Sequence, residues 1–183
     1  MFDRIAPTSA ETAAAMPGDD VVPHADVTMD RAFTLEAAPE QVWPWLAQLG
    51  KWRAGWYLPS SVERLVPRSR RGLRHLDERF QELAVGDVIP DYGGRDATFE
   101  VVQIDPPHAL VYRSVRGRMH VSWAITLEAV GPATRIRLRL RLGPVKRTWL
   151  AGTGGELFDA LTIAGLAAGL AERVPPAPRV GRS

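Results

Sequence analysis

The sequence contains no cysteine, and only two of its basic residues, Lys51 and Lys146, are lysines. The absence of cysteine excludes disulfide frameworks, thiolate metal sites, iron–sulfur clusters and cysteine nucleophiles. No apolar run approaches the roughly 18 residues that a membrane span requires, and residues 1–26 lack the apolar core of a signal peptide. We therefore expect a cytoplasmic protein without a membrane span.

Motifs for phosphate, dinucleotide and metal chemistry are also missing. There is no P-loop, no GxGxxG and no HExxH. None of the four histidines has a partner at metal-ligand or catalytic-triad spacing; they are His24, His75, His108 and His120. We expect no metal and no cofactor, and these observations leave open whether the protein is an enzyme.

Charge is distributed unevenly along the chain, although the formal net charge is only +2. Residues 1–50 hold two basic and eight acidic side chains, whereas residues 51–183 hold 21 basic and 13 acidic ones. Residues 1–26 are poor in large apolar side chains, which indicates a flexible N-terminal tail. The proline-rich segment 174–183 indicates a second tail. We expect one domain, residues 27–173, between them.

Hydropathy patterns predict an α+β domain. Period-two segments predict strands at 27–36, just after Gly86-Asp87, and at 97–105, 109–116, 119–130 and 133–142. Two short helices follow the first strand, one from Pro39 to Gly50 and one that begins at Ser60 or Ser61. The helical spacing of apolar residues in 155–173 predicts a C-terminal helix. Its apolar face is assigned to Leu157, Leu161, Ala164, Ala168 and Ala171.

Five segments, in this order, resemble the START-like (SRPBCC) superfamily: APEQVWPWLAQLG, RAGWY, FQELAVGD, the W-x-I-x-L pattern at 123–127 and TRIRLRLR. The resemblance is strongest to the branch of polyketide cyclases/dehydrases and lipid-transport proteins. It implies a helix-grip fold, in which a curved antiparallel sheet of about 6–7 strands wraps around a long C-terminal helix and encloses an apolar cavity. LPSSVERL departs from the usual short aromatic and acidic helix after GWY, and the C-terminal helix is short and alanine-rich.

The first functional hypothesis is the binding of a hydrophobic small molecule, lipid or polyketide-like, in that cavity. Pockets of this kind are lined mainly by apolar and aromatic side chains. Trp123 alternates with Val121 and Ile125 and is the best single candidate, whereas packing of the core is the favoured role for the tryptophans of the 43–56 segment. The candidate ligand-binding residues are Trp45, Trp56, Tyr57, Phe99, Val101, Trp123, Ile125, Leu138, Leu140, Phe158 and Leu161.

The second hypothesis is a cyclase or aromatase that uses acid–base groups in the same cavity without a cofactor. Its candidate catalytic residues are Asp91, Tyr92 and Arg113. If Val111 and Val115 face inward, Arg113 does too, and a buried guanidinium requires an anionic partner or ligand. Arg113 would stabilise an enolate while Asp91 or Tyr92 moved a proton.

The third hypothesis concerns the arginine ladder, which we define as Arg135, Arg137, Arg139 and Arg141. Alternation with leucine and isoleucine places the ladder on the outer face of one strand, where it would bind nucleic acid or an anionic surface by neutralising phosphates. Aromatic residues for base stacking are absent from that face. The pattern therefore favours a solvated face over a nucleic-acid interface. Across the three hypotheses, we expect a hydrophobic small molecule as the partner, with nucleic acid as the least favoured one, and a monomer or homodimer.

Overall fold

The computed structural model describes residues 2–94, 96–145 and 155–176. Among these residues, six strands form one antiparallel sheet in the order β1-β6-β5-β4-β3-β2. They are β1 (Val27–Leu35), β2 (Val88–Pro90), β3 (Thr98–Asp105), β4 (Ala109–Arg116), β5 (Met119–Val130) and β6 (Ala133–Gly143). Gly117 and Gly131 adopt positive φ angles in the turns before β5 and β6, a conformation that glycine adopts at little cost. The predicted strands and their antiparallel arrangement are confirmed.

Four α-helices accompany the sheet in the described ranges. They are α1 (Ser9–Ala13), α2 (Pro39–Ala47), α3 (Ser60–Glu63) and the C-terminal α4 (Glu156–Ala171). None of the helices among the described residues is long and apolar enough to span a membrane. The sheet curves around α4, so the predicted helix-grip fold is confirmed.

The inner face of the sheet has a packed end and an open end. Toward one end, Phe33, Leu110 and Ile136 are buried against Val42 and Leu46 of α2. Toward the other end, side chains of the same face border a cavity. Alternation along a strand determines which face a residue occupies, and the position along the strand then decides between core and cavity.

The face of α4 that packs on the domain differs from the predicted one. Ile163, Leu166 and Leu170 are buried, whereas Leu157 and Leu161 are half exposed. Both sides of this helix are apolar, so periodicity alone did not separate them, and the face with the larger number of bulky aliphatic side chains is the buried one. Its small residues do permit close packing, because Gly169 lies directly on the backbone of Tyr57.

Residues 4–26, expected as a flexible tail, pack along the sheet in this structure. Ile5 joins the main core, and Met16 covers Val111 and Ala124 on the outer face of the sheet. We call this segment, residues 4–26, the N-terminal strap. At the other end of the chain, Val174 is buried in the core, and residues 177–183 of the second predicted tail lie outside the described residues.

The strap covers the arginine ladder, which was predicted to be solvated. Arg135 donates to the Glu11 carboxylate at 2.7 and 2.9 Å, and Arg137 donates to the Glu11 carbonyl at 2.7 Å.

The other two arginines of the ladder also have partners in the strap. Arg139 pairs with Asp30 of the neighbouring strand at 2.6 Å and with Asp19 of the strap at 3.0 Å. Arg141 donates to the carbonyls of Val22 and Pro23 at 3.0 and 3.1 Å. The acidic and basic parts of the chain are therefore complementary within one molecule.

Candidate functional site

A cavity of about 620 Å³ lies between the open end of the sheet and α4. Its wall combines the inner face of β1 and β3–β6, the first two turns of α4 and the segments around 49–58 and 89–93. This volume is within the range of small-molecule pockets. Most of the lining is apolar, including Met29, Ile89, Val121, Leu140, Leu142 and Ile163.

Four aromatic rings form one side of the cavity; we call them the ring wall. Trp123 is central, with its ring centroid 5.5 Å from Tyr112, 6.0 Å from Phe99 and 6.0 Å from Trp56. The Tyr112 and Trp123 rings are stacked, with planes 19° apart. Offset and tilted aromatic pairs at these distances stabilise one another. The ring wall is therefore a preformed, rigid surface.

Five of the eleven predicted ligand-binding residues line the cavity. Four come from the sheet and from the segment after α2, and the fifth belongs to α4 at the opening. They are Trp56, Phe99, Trp123, Leu140 and Phe158.

The other six lie elsewhere. Val101, Ile125 and Leu138 are buried in the packed core, as are Trp45 and Tyr57, while Leu161 is half exposed on α4. The Tyr57 hydroxyl donates to the Trp45 carbonyl and accepts from Gln48, both at 2.9 Å. Burial raises the pKa of Tyr57, so its hydroxyl is a structural hydrogen-bonding group in the core.

The predicted inward orientation of Arg113 is wrong. Arg113 lies on the outer face and pairs with Glu100 at 2.8 Å. Val111, on the same face, is fully buried because the strap covers it. Both faces of β4 carry buried apolar residues, so the sequence does not alternate in a way that shows which face of the strand points inward. The arginine of β4 that lines the cavity is Arg116.

Arg116 and Asp91 form an ion pair at the mouth of the cavity. The Arg116 Nε also donates to Ser114 Oγ at 3.3 Å, and its guanidinium carbon lies 5.3 Å from the Phe99 ring centroid. Of the three predicted catalytic residues, the structure thus brings Asp91 and Tyr92 to the cavity. Tyr92 is largely exposed, and partial burial, together with the neighbouring Asp91, raises the pKa of its hydroxyl.

Lys51 completes the mouth. Its ammonium donates to the Asp91 main-chain carbonyl at 3.1 Å and lies 5.4 Å from the centroid of the Trp52 ring. Arg70 also lines the cavity. The mouth is therefore mainly cationic.

A second polar group, which sequence reasoning missed, lies toward the β1 side of the cavity. Asp159 of α4 faces the cavity, and its Oδ2 lies 3.0 Å from Arg31 Nε, without the alignment of a hydrogen bond. Burial raises the pKa of Asp159 to about 6, against the opposing charge of Arg31 and with a contribution from Glu156. A buried carboxyl group with such a pKa is a candidate proton donor or acceptor.

The sequence carries a signal for this pair. Arg31 alternates in phase with Met29 and Phe33, which are inward-facing residues of β1. Asp159 precedes Ile163 and Leu166 at helical spacing on the buried face of α4. A charged residue in the apolar phase of an element requires a partner, and each of these two residues is the partner of the other.

Within the part of the chain that the structure describes, no three His, Asp or Glu side chains are grouped closely enough to hold a metal ion.

A protein-family model described as "Polyketide cyclase / dehydrase and lipid transport" matches residues 26–173 of this chain. The match includes every strand of the sheet and all of α4. No curated protein sequence matches the chain.

Several solved structures are similar in fold. Protein MLL2253 from Mesorhizobium loti has a TM-score of 0.53 and 18% identity, covering 81% of this chain and 99% of that one. Protein CV1439 from Chromobacterium violaceum has a TM-score of 0.51 and 15% identity, with coverages of 81% and 97%. DynU16, a protein in the dynemicin biosynthetic locus, has a TM-score of 0.52 and 16% identity; the match covers 84% of this chain and half of DynU16. At these identities the similarity establishes the fold.

Proposed function

Since the chain belongs to the family of polyketide cyclases/dehydrases and lipid-transport proteins, we propose that it binds a hydrophobic small molecule in the cavity between the sheet and α4. The ligand is of the lipid or polyketide kind.

The observation that carries this proposal is the combination of a 620 Å³ cavity with a mainly apolar lining and a ring wall. Binding lowers the free energy when an apolar ligand replaces poorly hydrogen-bonded water in an apolar cavity of this size. The rings are already packed against one another, so a flat ligand contacts them without ordering new side chains, which lowers the entropic cost of binding.

Native mass spectrometry of the purified protein tests the proposal. We expect a co-purifying adduct of a few hundred daltons or, after delipidation, uptake of one molecule of N-phenyl-1-naphthylamine, a neutral apolar fluorophore. Phe158→Ala should weaken uptake, because Phe158 borders the cavity, and it should have little effect on stability, because Phe158 is largely exposed. Leu157→Ala, its half-exposed neighbour outside the cavity, is the matched control. A protein that takes up no apolar molecule would contradict the proposal.

A second candidate function is acid–base catalysis on the bound molecule, and one observation favours it. Asp159 faces the cavity with a pKa raised by burial to about 6. A carboxyl group with a pKa closer to neutrality than usual is better suited to exchange protons with a bound molecule than an ordinary aspartate. Activity on a model poly-β-ketone would then be lost in Asp159→Asn with binding retained. Equal turnover by the wild type and this variant would contradict a catalytic role.

The third hypothesis, binding of nucleic acid or an anionic surface, has less support. Such a partner would have to displace Glu11 and Asp19 from Arg135 and Arg139. Salt-sensitive binding of DNA by the intact protein, abolished by Arg137→Glu with Arg139→Glu, would revive it.

A further inference from the structure

We propose that the mouth of the cavity is a binding site for an acidic group. The ligand is then an apolar, ring-containing carboxylic acid, whose carboxylate is held by Arg116 and Lys51. This inference rests on the proposed function, because it concerns the same cavity.

The distribution of charge at the mouth points to an anion. The charged residues grouped at this end of the cavity are Lys51, Arg116 and Asp91, two cations and one carboxylate, and Arg70 also lines the cavity. Asp159 is associated with Arg31 of β1, the strand at the opposite edge of the sheet from β2. An excess of positive charge beside low-dielectric walls attracts an anionic ligand and orients its entry.

Arg116 is held in place by neighbouring groups before any ligand arrives. Asp91 accepts from its Nη2, Ser114 accepts from its Nε, and the Phe99 ring lies beneath the guanidinium. A guanidinium has five N–H donors in a planar fork that matches a carboxylate. The protein side chains that accept from Arg116 in the described ranges account for two donors, so the others remain for a ligand.

Lys51 supplies a second cation, which has no carboxylate counterion among the described residues. Its protein acceptor is the neutral carbonyl of Asp91, at 3.1 Å, and in the part of the chain that the structure describes no carboxylate oxygen lies within 4 Å of its ammonium. Asp91 therefore contacts both cations: its carboxylate pairs with Arg116, and its main-chain carbonyl accepts from Lys51. A ligand carboxylate at this point would be bound by two cations.

Phe99 connects the acidic-group site to the ring wall. Its centroid lies 5.3 Å from the Arg116 guanidinium carbon and 6.0 Å from the Trp123 ring. A ligand whose carboxylate meets Arg116 therefore has its neighbouring atoms against aromatic rings. This arrangement favours a compact molecule with a ring close to its acidic group.

Two fluorescent probes with the same ring system test the inference. 1-Anilinonaphthalene-8-sulfonate carries an anionic group in place of the carboxylate, and N-phenyl-1-naphthylamine lacks it. We expect Arg116→Gln and Lys51→Gln each to weaken binding of the sulfonate by about tenfold, as loss of a charge-assisted hydrogen bond does, and to change binding of the neutral probe by less than about twofold. High salt should weaken only the sulfonate.

Two further variants separate the role of Arg116 from bulk charge. Arg113→Gln removes an arginine from the same strand but from its outer face, and should affect neither probe. Arg116→Gln with Asp91→Asn leaves the net charge unchanged and should still lose sulfonate affinity. If Arg116→Gln affects both probes equally, or the sulfonate not at all, the acidic-group site is wrong while the cavity proposal stands. If neither probe binds the wild type, the cavity proposal fails and this inference fails with it.

Discussion

Asp159 is a buried carboxyl group beside the cavity, and its burial disfavours the ionised form. Burial raises its pKa to about 6 even though Arg31 is 3.0 Å away. The unfolded chain ionises the same group near pH 4, so between about pH 4 and 6 the folded protein binds more protons than the unfolded one. The contribution of Asp159 to stability is therefore greatest at acid pH and falls as the pH rises to about 6.

This residue yields a prediction about pH dependence. The difference in free energy of unfolding between the wild type and Asp159→Asn should change by about 2 kcal/mol between pH 4 and pH 7. As the pH rises, the wild type should become less stable relative to the variant. Urea denaturation at several pH values measures it. Glu40→Gln, on the exposed first turn of α2, is the control. A difference that is constant over this range would place the Asp159 pKa near its ordinary value.

At the scale of elements, α4 is held by its contact with the segment after α2. A Cβ on Gly169 would lie 2.6 Å from the Tyr57 carbonyl carbon, a backbone atom that has no freedom to move aside. Gly169→Ala should therefore destabilise the protein by about 2 kcal/mol or more through overpacking, despite the roughly 1 kcal/mol gain in helix propensity. Gly165→Ala, whose Cβ would meet the mobile end of the Leu58 side chain, should cost less. Thermal denaturation compares the two, and equal stabilities would contradict the packing argument.

A buried ion pair fixes α3 to the end of α4. Arg173, with a fully buried side chain, donates to Glu63 and also to the Leu58 and Gly169 carbonyls. Burial alone would raise the pKa of Glu63, but hydrogen bonds from Arg173 and Arg74 lower it below its ordinary value. The stabilisation is thus present above about pH 4 and is lost as the pH falls through the lowered pKa.

Removal of one partner tests this pair. Glu63→Gln should destabilise the protein by about 3 kcal/mol at neutral pH, because it leaves the Arg173 charge buried without a counterion. Glu172→Gln alters the more exposed carboxylate of the same cluster and should have a much smaller effect. Chemical denaturation at pH 7 and pH 3 measures both, and a Glu63→Gln penalty as large at pH 3 as at pH 7 would contradict the ionic account.

The elements also show what the sequence could and could not predict. Strand boundaries followed from alternation and glycine turns, and β4 and β5 begin and end where they were predicted. The phase of β4 did not follow, because Val111 is buried by the strap and Leu110 by the core. The cavity residues on β5 could not be separated from the core ones, since Trp123 and Ile125 share a face and differ only in their distance from α2.

At the scale of the whole molecule, the contrast between acidic and basic segments becomes an internal interface. The strap contributes Glu11, which caps α1 with Thr8 and pairs with Arg135, and Asp19, which pairs with Arg139. Hydrogen bonds from Arg135, with further ones from Thr8, lower the pKa of Glu11 to about 2. Sequence composition indicated a flexible tail because large apolar residues are few, but the three that are buried, Ile5, Met16 and Val22, are spaced along its length.

Deletion of residues 1–24 should therefore have two separate effects. Stability should fall by about 3 kcal/mol or more, because the apolar contacts of Ile5 and Met16 and the strap partners of Arg139 are lost together, which leaves Asp30 as its remaining ion-pair partner. The freed ladder should also bind heparin with a strong salt dependence, whereas the full-length chain should elute at low salt. Arg135→Gln with Arg137→Gln in the truncated protein should reverse heparin binding without restoring stability. A truncated protein that matches the full-length chain in both stability and elution would show that the strap does not cover the ladder. Exposure of four arginines on one strand should change at least one of these two properties.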